Sequence, residues 1–161
     1  MHTAAVLTIS DSVARGQRTD RSGPATVEVL QQHGFDVTQQ RAVVDDRNEI
    51  EKTLIHLSEQ VRLVVTTGGT GISERDVTPE ATRTVCSKLI DGIPQKMRAD
   101  GLASTGFAIL SRGVCGARGR SLILNLPGSP AGAVDSLQSV IEILPHALEL
   151  LEGKTDHEDN P

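Results

Sequence analysis

Aromatic side chains are scarce in this chain: there is no tryptophan or tyrosine, and Phe35 and Phe107 are the only phenylalanines. The core must therefore be aliphatic, and the scarcity counts against a surface that reads nucleic acid by stacking bases on rings. Positive charge is short as well. A formal net charge of −5 disfavours a general nucleic-acid or anionic-membrane surface, so neither nucleic acid nor membrane is expected as a partner. An anionic ligand would have to be held by local arginines and backbone donors. The two cysteines, Cys86 and Cys115, form no CxxC pair, which points to reduced thiols rather than a zinc site or a disulfide framework. The five histidines, at positions 2, 33, 56, 146 and 157, have no metal-ligand spacing. No apolar run approaches the roughly 20 residues needed to span a bilayer, and no signal peptide is visible. These absences lead to the expectation of a soluble, cytoplasmic protein.

What is present fits one domain with a proper core over residues 1–153, followed by a polar tail, 154–161, expected to be disordered. Apolar runs at 4–10 and 61–67 read as buried strands, and 35–44 as a strand with polar alternation in its first half. Helices are expected after each. Ser22 and Pro24 start the first, and Gly34 stops it. Asp46 with Glu49 opens the second, whose stripe is Ile50, Leu54 and Leu57. Thr78 opens the third, with Ala81, Val85 and Leu89 on one face, and a short helix follows between Ile93 and Leu102. The runs 107–110 and 122–124 read as two strands, one of them free to run antiparallel. The final helix carries Val134, Leu137, Ile141, Leu144, Leu148 and Leu151, with Pro145 forcing a kink or a restart. The alternation predicts an α/β fold: a three-layer α/β/α sandwich with a mostly parallel sheet. Ligands in such sheets bind beyond the C-terminal strand ends, where the loops after residues 10, 44, 67 and 126 could converge.

The stretch 66–81, Thr-Thr-Gly-Gly-Thr-Gly-Ile-Ser-Glu-Arg-Asp-Val-Thr-Pro-Glu-Ala, stands out. An apolar strand runs into three glycines in four residues and then into a helix start. That geometry lets a ligand lie against bare backbone N–H groups. It is neither a Walker A motif nor G-x-G-x-x-G. Asp76 and Asp45 each have a structural reading, as an Asx-turn or a helix cap. Thr78 and Asp46 can do the capping, which leaves both aspartates available for chemistry. Two carboxylates beside a glycine loop suit Mg²⁺ held together with phosphate oxygens. Arg15, Arg18 and Arg21 crowd the first loop, and Arg112, Arg118 and Arg120 the late one. Each alone reads as a solvated surface charge, while clustering at one mouth favours anion binding for some. Ser111 has no base nearby in sequence and reads as a binding hydroxyl rather than a nucleophile.

The run Thr67-Gly68-Gly69-Thr70-Gly71 with Arg75-Asp76-Val77-Thr78-Pro79-Glu80-Ala81 resembles the signature of the MoaB/Mog family of molybdenum-cofactor proteins. The match is nearest to the molybdopterin adenylyltransferase branch, bacterial MogA and the plant Cnx G domain. It extends over nearly the whole chain, through Leu7-Thr8-Ile9-Ser10-Asp11, Asp20-Arg21-Ser22-Gly23-Pro24, Leu110-Ser111-Arg112 and Asn125-Leu126-Pro127-Gly128. The resemblance implies transfer of AMP from Mg-ATP to the terminal phosphate of molybdopterin, with release of pyrophosphate. It implies Asp45 and Asp76 as catalytic, Mg²⁺-holding residues. Nucleotide and phosphate contacts would come from Gly68, Gly69, Thr70, Gly71, Arg75, Pro127 and Gly128. Molybdopterin contacts would come from Thr8, Ser10, Asp11, Ser111 and Arg112. A homotrimer and a hand-off to a molybdate-inserting enzyme are also implied. Arg15 and Arg18 are not family features and stand outside the expected site. Two competing readings are a molybdopterin-binding protein of the non-catalytic MoaB branch, which typically lacks the Arg-Asp-Val-Thr run, and an interaction domain in which the glycine loop is only a turn.

Overall fold

A computed structural model describes residues 1–154; the rest of the expected polar tail lies outside the described residues. Buried apolar runs form the centre of the sheet. Strand β1 (Thr3–Ile9) leads through a one-turn helix, α1 (Asp11–Ala14), and helix α2 (Ser22–Gln32) into β2 (Asp36–Val43). Helix α3 (Arg47–Ser58) then leads to β3 (Leu63–Thr67), and the glycine-rich turn to α4 (Thr78–Val85). The short strand β4 (Lys88–Leu89) and helix α5 (Gly92–Gly101) precede a 3₁₀ turn, Gly106–Leu110. Strands β5 (Cys115–Arg118) and β6 (Ser121–Leu126) form a tight pair. Helix α6 (Pro130–Val140) and α7 (Leu144–Leu151), separated by the 3₁₀ turn Ile141–Ile143, complete the chain.

The six strands lie in the order β2-β1-β3-β6-β5-β4. The first four of these are mutually parallel, while β5 runs antiparallel to both β6 and β4. The chain winds to one side of β1 for β2 and to the other for β3, so a crevice opens beyond the ends of β1 and β3, where a doubly wound sheet binds ligands. Aliphatic cores fill both faces. One combines Val29 and Leu30 of α2 with Ile93, Met97, Leu137, Leu144 and Leu148. The other combines Ile50, Leu54 and Leu57 of α3 with Ala81 and Val85 of α4. These are the three expected layers, and the antiparallel element is present.

Four local expectations need correction. Residues 107–110 are a 3₁₀ turn rather than a strand, opened by the Thr105 hydroxyl accepting the Phe107 N–H at 3.2 Å. Its Phe107 and Ile109 side chains are 80% and 62% exposed, so no sheet face needs them. Helix α4 stops at Val85, because the Ser87 N–H pairs with the Ala117 carbonyl and puts Leu89 on an edge strand. Ser22 does not cap α2; its hydroxyl is buried against the Thr67 hydroxyl at 2.8 Å, and Asp20 takes the Gly23 N–H instead. Thr78 does not cap α4 either, for its hydroxyl donates to the Gly68 carbonyl at 3.0 Å. Asp46 does cap α3, accepting from the Glu49 N–H, and Pro145 stands at the restart of the last helix, where its missing N–H is harmless. Among the described residues, no helix is long and apolar enough to cross a membrane.

Candidate functional site

The glycine turn is held in a shape that only glycine adopts easily. Gly68 and Gly69 have φ of +92° and +67°, and a Cβ at Gly69 would sit 2.3 Å from the Thr78 hydroxyl. Thr78 locks the turn from the helix side, its hydroxyl on the Gly68 carbonyl and its N–H on the Gly69 carbonyl. Among the described residues, no protein acceptor pairs with the N–H groups of Gly69, Thr70, Gly71 and Ile72. Four consecutive amides are thus left for an anion.

Two carboxylates flank this turn. A Cβ placed on Gly69 would lie 3.5 Å from Asp45 Oδ1, and one on Gly71 would lie 2.7 Å from Asp76 Oδ2. Asp45 follows the end of β2 and is clasped to the loop after β1: its N–H donates to Asp11 Oδ1 at 2.9 Å, and its Oδ2 accepts from the Asp11 N–H at 3.0 Å. Asp76 Oδ2 accepts from both the N–H and the hydroxyl of Ser73, three residues back, so the carboxylate is braced from behind rather than by the expected Asx-turn or helix cap. Among the described residues, no donor reaches the second oxygen of either carboxylate. Burial pushes the Asp45 carboxyl above its ordinary value. The Asp11 N–H opposes this, the Asp11 charge adds to it, Arg75 opposes it and Asp76 adds to it. A cation between Asp45 and Asp76 would relieve both the burial and the like-charge strain.

Two clefts meet at the turn. A polar cleft of about 880 Å³ is lined by Thr8, Ser10, Asp45, Gly68, Gly69, Arg75, Asp76 and Gly128, together with Arg18, Asp20, Arg21 and Ser22. An apolar cleft of about 470 Å³ lies on the other side, lined by Gly69, Thr70, Gly71, Asp76, Ser111, Pro127 and Gly128 along with Met97, Phe107 and Leu110. The loops after β1, β2, β3 and β6 therefore converge as the sheet topology requires. The residues expected to touch one ligand are divided, with Thr8 and Ser10 on the polar side and Ser111 on the apolar side. Asp11 and Arg112 line neither cleft: Asp11 braces Asp45, and Arg112 is bonded to the back of the glycine turn. Thr8 gives its hydroxyl proton to Asp20 at 2.6 Å.

Sequence reasoning set aside Arg18, which the structure places on the polar cleft with Arg21. Their three-residue spacing in the loop beyond β1 was the signal. Phe107 at the apolar mouth was missed because its run reads as a strand. The cysteines contribute nothing here. Burial pushes the Cys86 thiol to about 11 and the Cys115 thiol to about 12, so neither forms a thiolate readily at neutral pH.

A parallel sheet with an anion-binding turn at its switch point and two flanking carboxylates defines a nucleotide- or phosphate-handling α/β protein. Residues 5–146 match the family described as "Probable molybdopterin binding domain". The chain belongs to that family. It is 41% identical over 152 residues to a molybdopterin adenylyltransferase of Helicobacter pylori strain J99, covering 92% of this chain and 86% of that one. Against the molybdopterin adenylyltransferase of Escherichia coli K12 it is 36% identical over 165 residues, with 92% and 84% covered. The fold is also that of the molybdopterin biosynthesis enzyme MoaB from Thermus thermophilus, at a TM-score of 0.90 and 46% identity, covering 96% of this chain and 98% of that one.

Proposed function

We propose that this protein is a molybdopterin adenylyltransferase that transfers AMP from Mg-ATP to the terminal phosphate of molybdopterin and releases pyrophosphate. The observation that carries the reading is the convergence of Asp45 and Asp76 on a glycine turn with four unpaired amides, in a chain 41% identical to an enzyme of that name. An oxygen of the pterin's terminal phosphate attacks the α-phosphorus. The new P–O bond forms as the bond to pyrophosphate breaks, and pyrophosphate leaves with the electron pair. No protein nucleophile is needed. The amides of residues 69–72 receive charge that develops on the phosphoryl oxygens, and the rigid turn keeps them in place beforehand.

Two carboxylates with one free oxygen each suit Mg²⁺, which takes one or two carboxylates and completes its shell with phosphate oxygens and water. Asp45 and Asp76 would hold the ion, and it would supply neutralisation of the phosphate charge.

The pterin carries many ring donors and acceptors and an anionic tail, so we assign it to the polar cleft with Thr8, Ser10, Arg18 and Arg21. Adenine takes the apolar cleft with Phe107, Leu110 and Ser111. Each ring then sends its phosphate to the shared turn. The protein is expected to act in the cytoplasm, to assemble as a homotrimer, and to pass its product to a molybdate-inserting enzyme.

The second reading is that of the non-catalytic MoaB branch, a protein that binds molybdopterin without adenylylating it. Incubation of purified protein with Mg-ATP and molybdopterin decides between them. The proposal predicts adenylylated pterin and stoichiometric pyrophosphate from the wild type. Tight pterin binding without product would assign the chain to the non-catalytic reading.

A further inference from the structure

The strap that leaves the 3₁₀ turn, residues 111–114, crosses behind the glycine turn on its way to β5. One of its residues, Arg112, makes an unusual set of bonds. Its backbone N–H donates to the Thr70 carbonyl at 2.8 Å, its Nε to the Gly71 carbonyl at 2.8 Å, and its Nη2 to the Asp76 carbonyl at 2.9 Å. Its Nη1 donates to Glu80 Oε1, in the first turn of α4. A single side chain therefore ties both ends of the catalytic turn to the helix that follows it. The strap is itself fixed from behind, because Arg98 Nη1 donates to the Gly113 carbonyl at 3.2 Å.

These bonds fix more than the backbone path. In a trans peptide the carbonyl and the following N–H point in opposite directions, and the described chain has no cis bond. Drawing the Thr70 and Gly71 carbonyls toward Arg112 turns the Gly71 and Ile72 N–H groups away from it. Those two amides belong to the unpaired set. Holding the Asp76 carbonyl fixes the Cα that carries the Asp76 carboxylate, which Ser73 then orients. The Glu80 bond fixes the guanidinium plane: the Arg112 hydrogen bond holds the Glu80 carboxyl below its ordinary value, and the Arg112 guanidinium is held above its own.

We infer that Arg112 is a positioning residue for the reaction, acting through Asp76 and the amides of Gly71 and Ile72, and that it touches neither substrate. The inference replaces the expected contact between Arg112 and molybdopterin, and its activity arm rests on the adenylyltransferase reading above. Lysine cannot substitute, because one ammonium cannot span two carbonyls and a carboxylate as a planar fork does.

The test compares Arg112→Lys and Glu80→Gln with wild type by three readouts: turnover, molybdopterin affinity by pterin fluorescence, and amide hydrogen exchange at Ser73, Asp76 and Thr78. For Arg112→Lys, kcat should fall about 100-fold, as a small misplacement of reacting groups does. Molybdopterin affinity should stay within about twofold. Exchange at the three amides should quicken at least about tenfold while β3 and β6 amides stay unchanged. Glu80→Gln should show the same pattern more weakly. Guanidinium ion added to Arg112→Ala should restore part of both turnover and protection. A tenfold loss of pterin affinity with turn protection intact would overturn the inference and make Arg112 a direct ligand. Unchanged turnover and exchange would overturn it as well. If wild type makes no product, the activity proposal fails, and the exchange and affinity readouts still decide the role of Arg112.

Discussion

The two clefts share the same glycine turn and are built in opposite ways. The polar cleft is made by the loops that leave β1, β2 and β3, and it carries Arg18, Arg21 and Arg75, none of which is ion-paired among the described residues. The apolar cleft is made by α5, the 3₁₀ turn and the start of α6, and it presents Met97, Phe107 and Leu110. Cationic side chains without partners, in a chain of net charge −5, mark a surface arranged for an anion. A largely exposed ring at the mouth of a small apolar cleft marks a surface arranged for a flat heterocycle. On the proposed function, the turn serves as a shared phosphate bed and each side selects a different ring.

Breaking the shared bed should produce the largest effect. Asp76→Asn keeps an oxygen to accept from Ser73, so the fold should survive while adenylylation falls about 1,000-fold. Near-normal product formation by that variant in a pyrophosphate-release assay would remove Asp76 from the chemistry. Gly69→Ala comes next. The left-handed φ and the close Thr78 hydroxyl should together cost about 3 kcal/mol of stability, seen in urea unfolding, and distort both clefts at once.

The sides can then be separated. Phe107→Ala should weaken nucleotide binding about tenfold, while pterin binding and the melting temperature stay as they are, because the ring is mostly exposed. A loss confined to pterin binding would exchange the two ring assignments.

The smallest expected effect is on stability and concerns Asp45. Its carboxyl is raised above the ordinary 3.8, so the protonated form is the one the fold favours. That stabilisation is fully present below the unfolded-state value and is lost as pH rises through the folded one. Asparagine imitates the protonated state. Metal-free Asp45→Asn should therefore melt slightly above wild type at pH 7, with the gain vanishing below about pH 4, even as the variant loses activity. A lower melting temperature at pH 7 would show that the Asp11 clasp depends on the charge.

Much of the fold was legible because buried strands announce themselves as short apolar runs, and β1, β3 and β6 do so. The glycine turn and Asp45 were legible for a similar reason, since they follow strand ends closely, and Asp76 because it stands just before a helix start. What failed at the two hydroxyls and at Arg112 shares one cause. The hydroxyls of Ser22 and Thr78 stand where a local rule places a cap, yet Thr67 and Gly68, 45 and 10 residues away, claim them. Arg112 reaches acceptors 41, 36 and 32 residues away in the chain, so spacing could show it near the mouth without showing which way it points. The run 107–110 has no period that separates a strand from a turn, and only its exposure settles the matter.

The most direct measurement is a crystal structure of the protein with adenylylated molybdopterin bound. The account predicts the pterin beside Arg18 and Arg21, adenine beside Phe107 and Ser111, and the linking phosphates within hydrogen-bonding distance of the Gly69–Ile72 amides. Both rings on one side of the turn, or phosphates away from those amides, would contradict it.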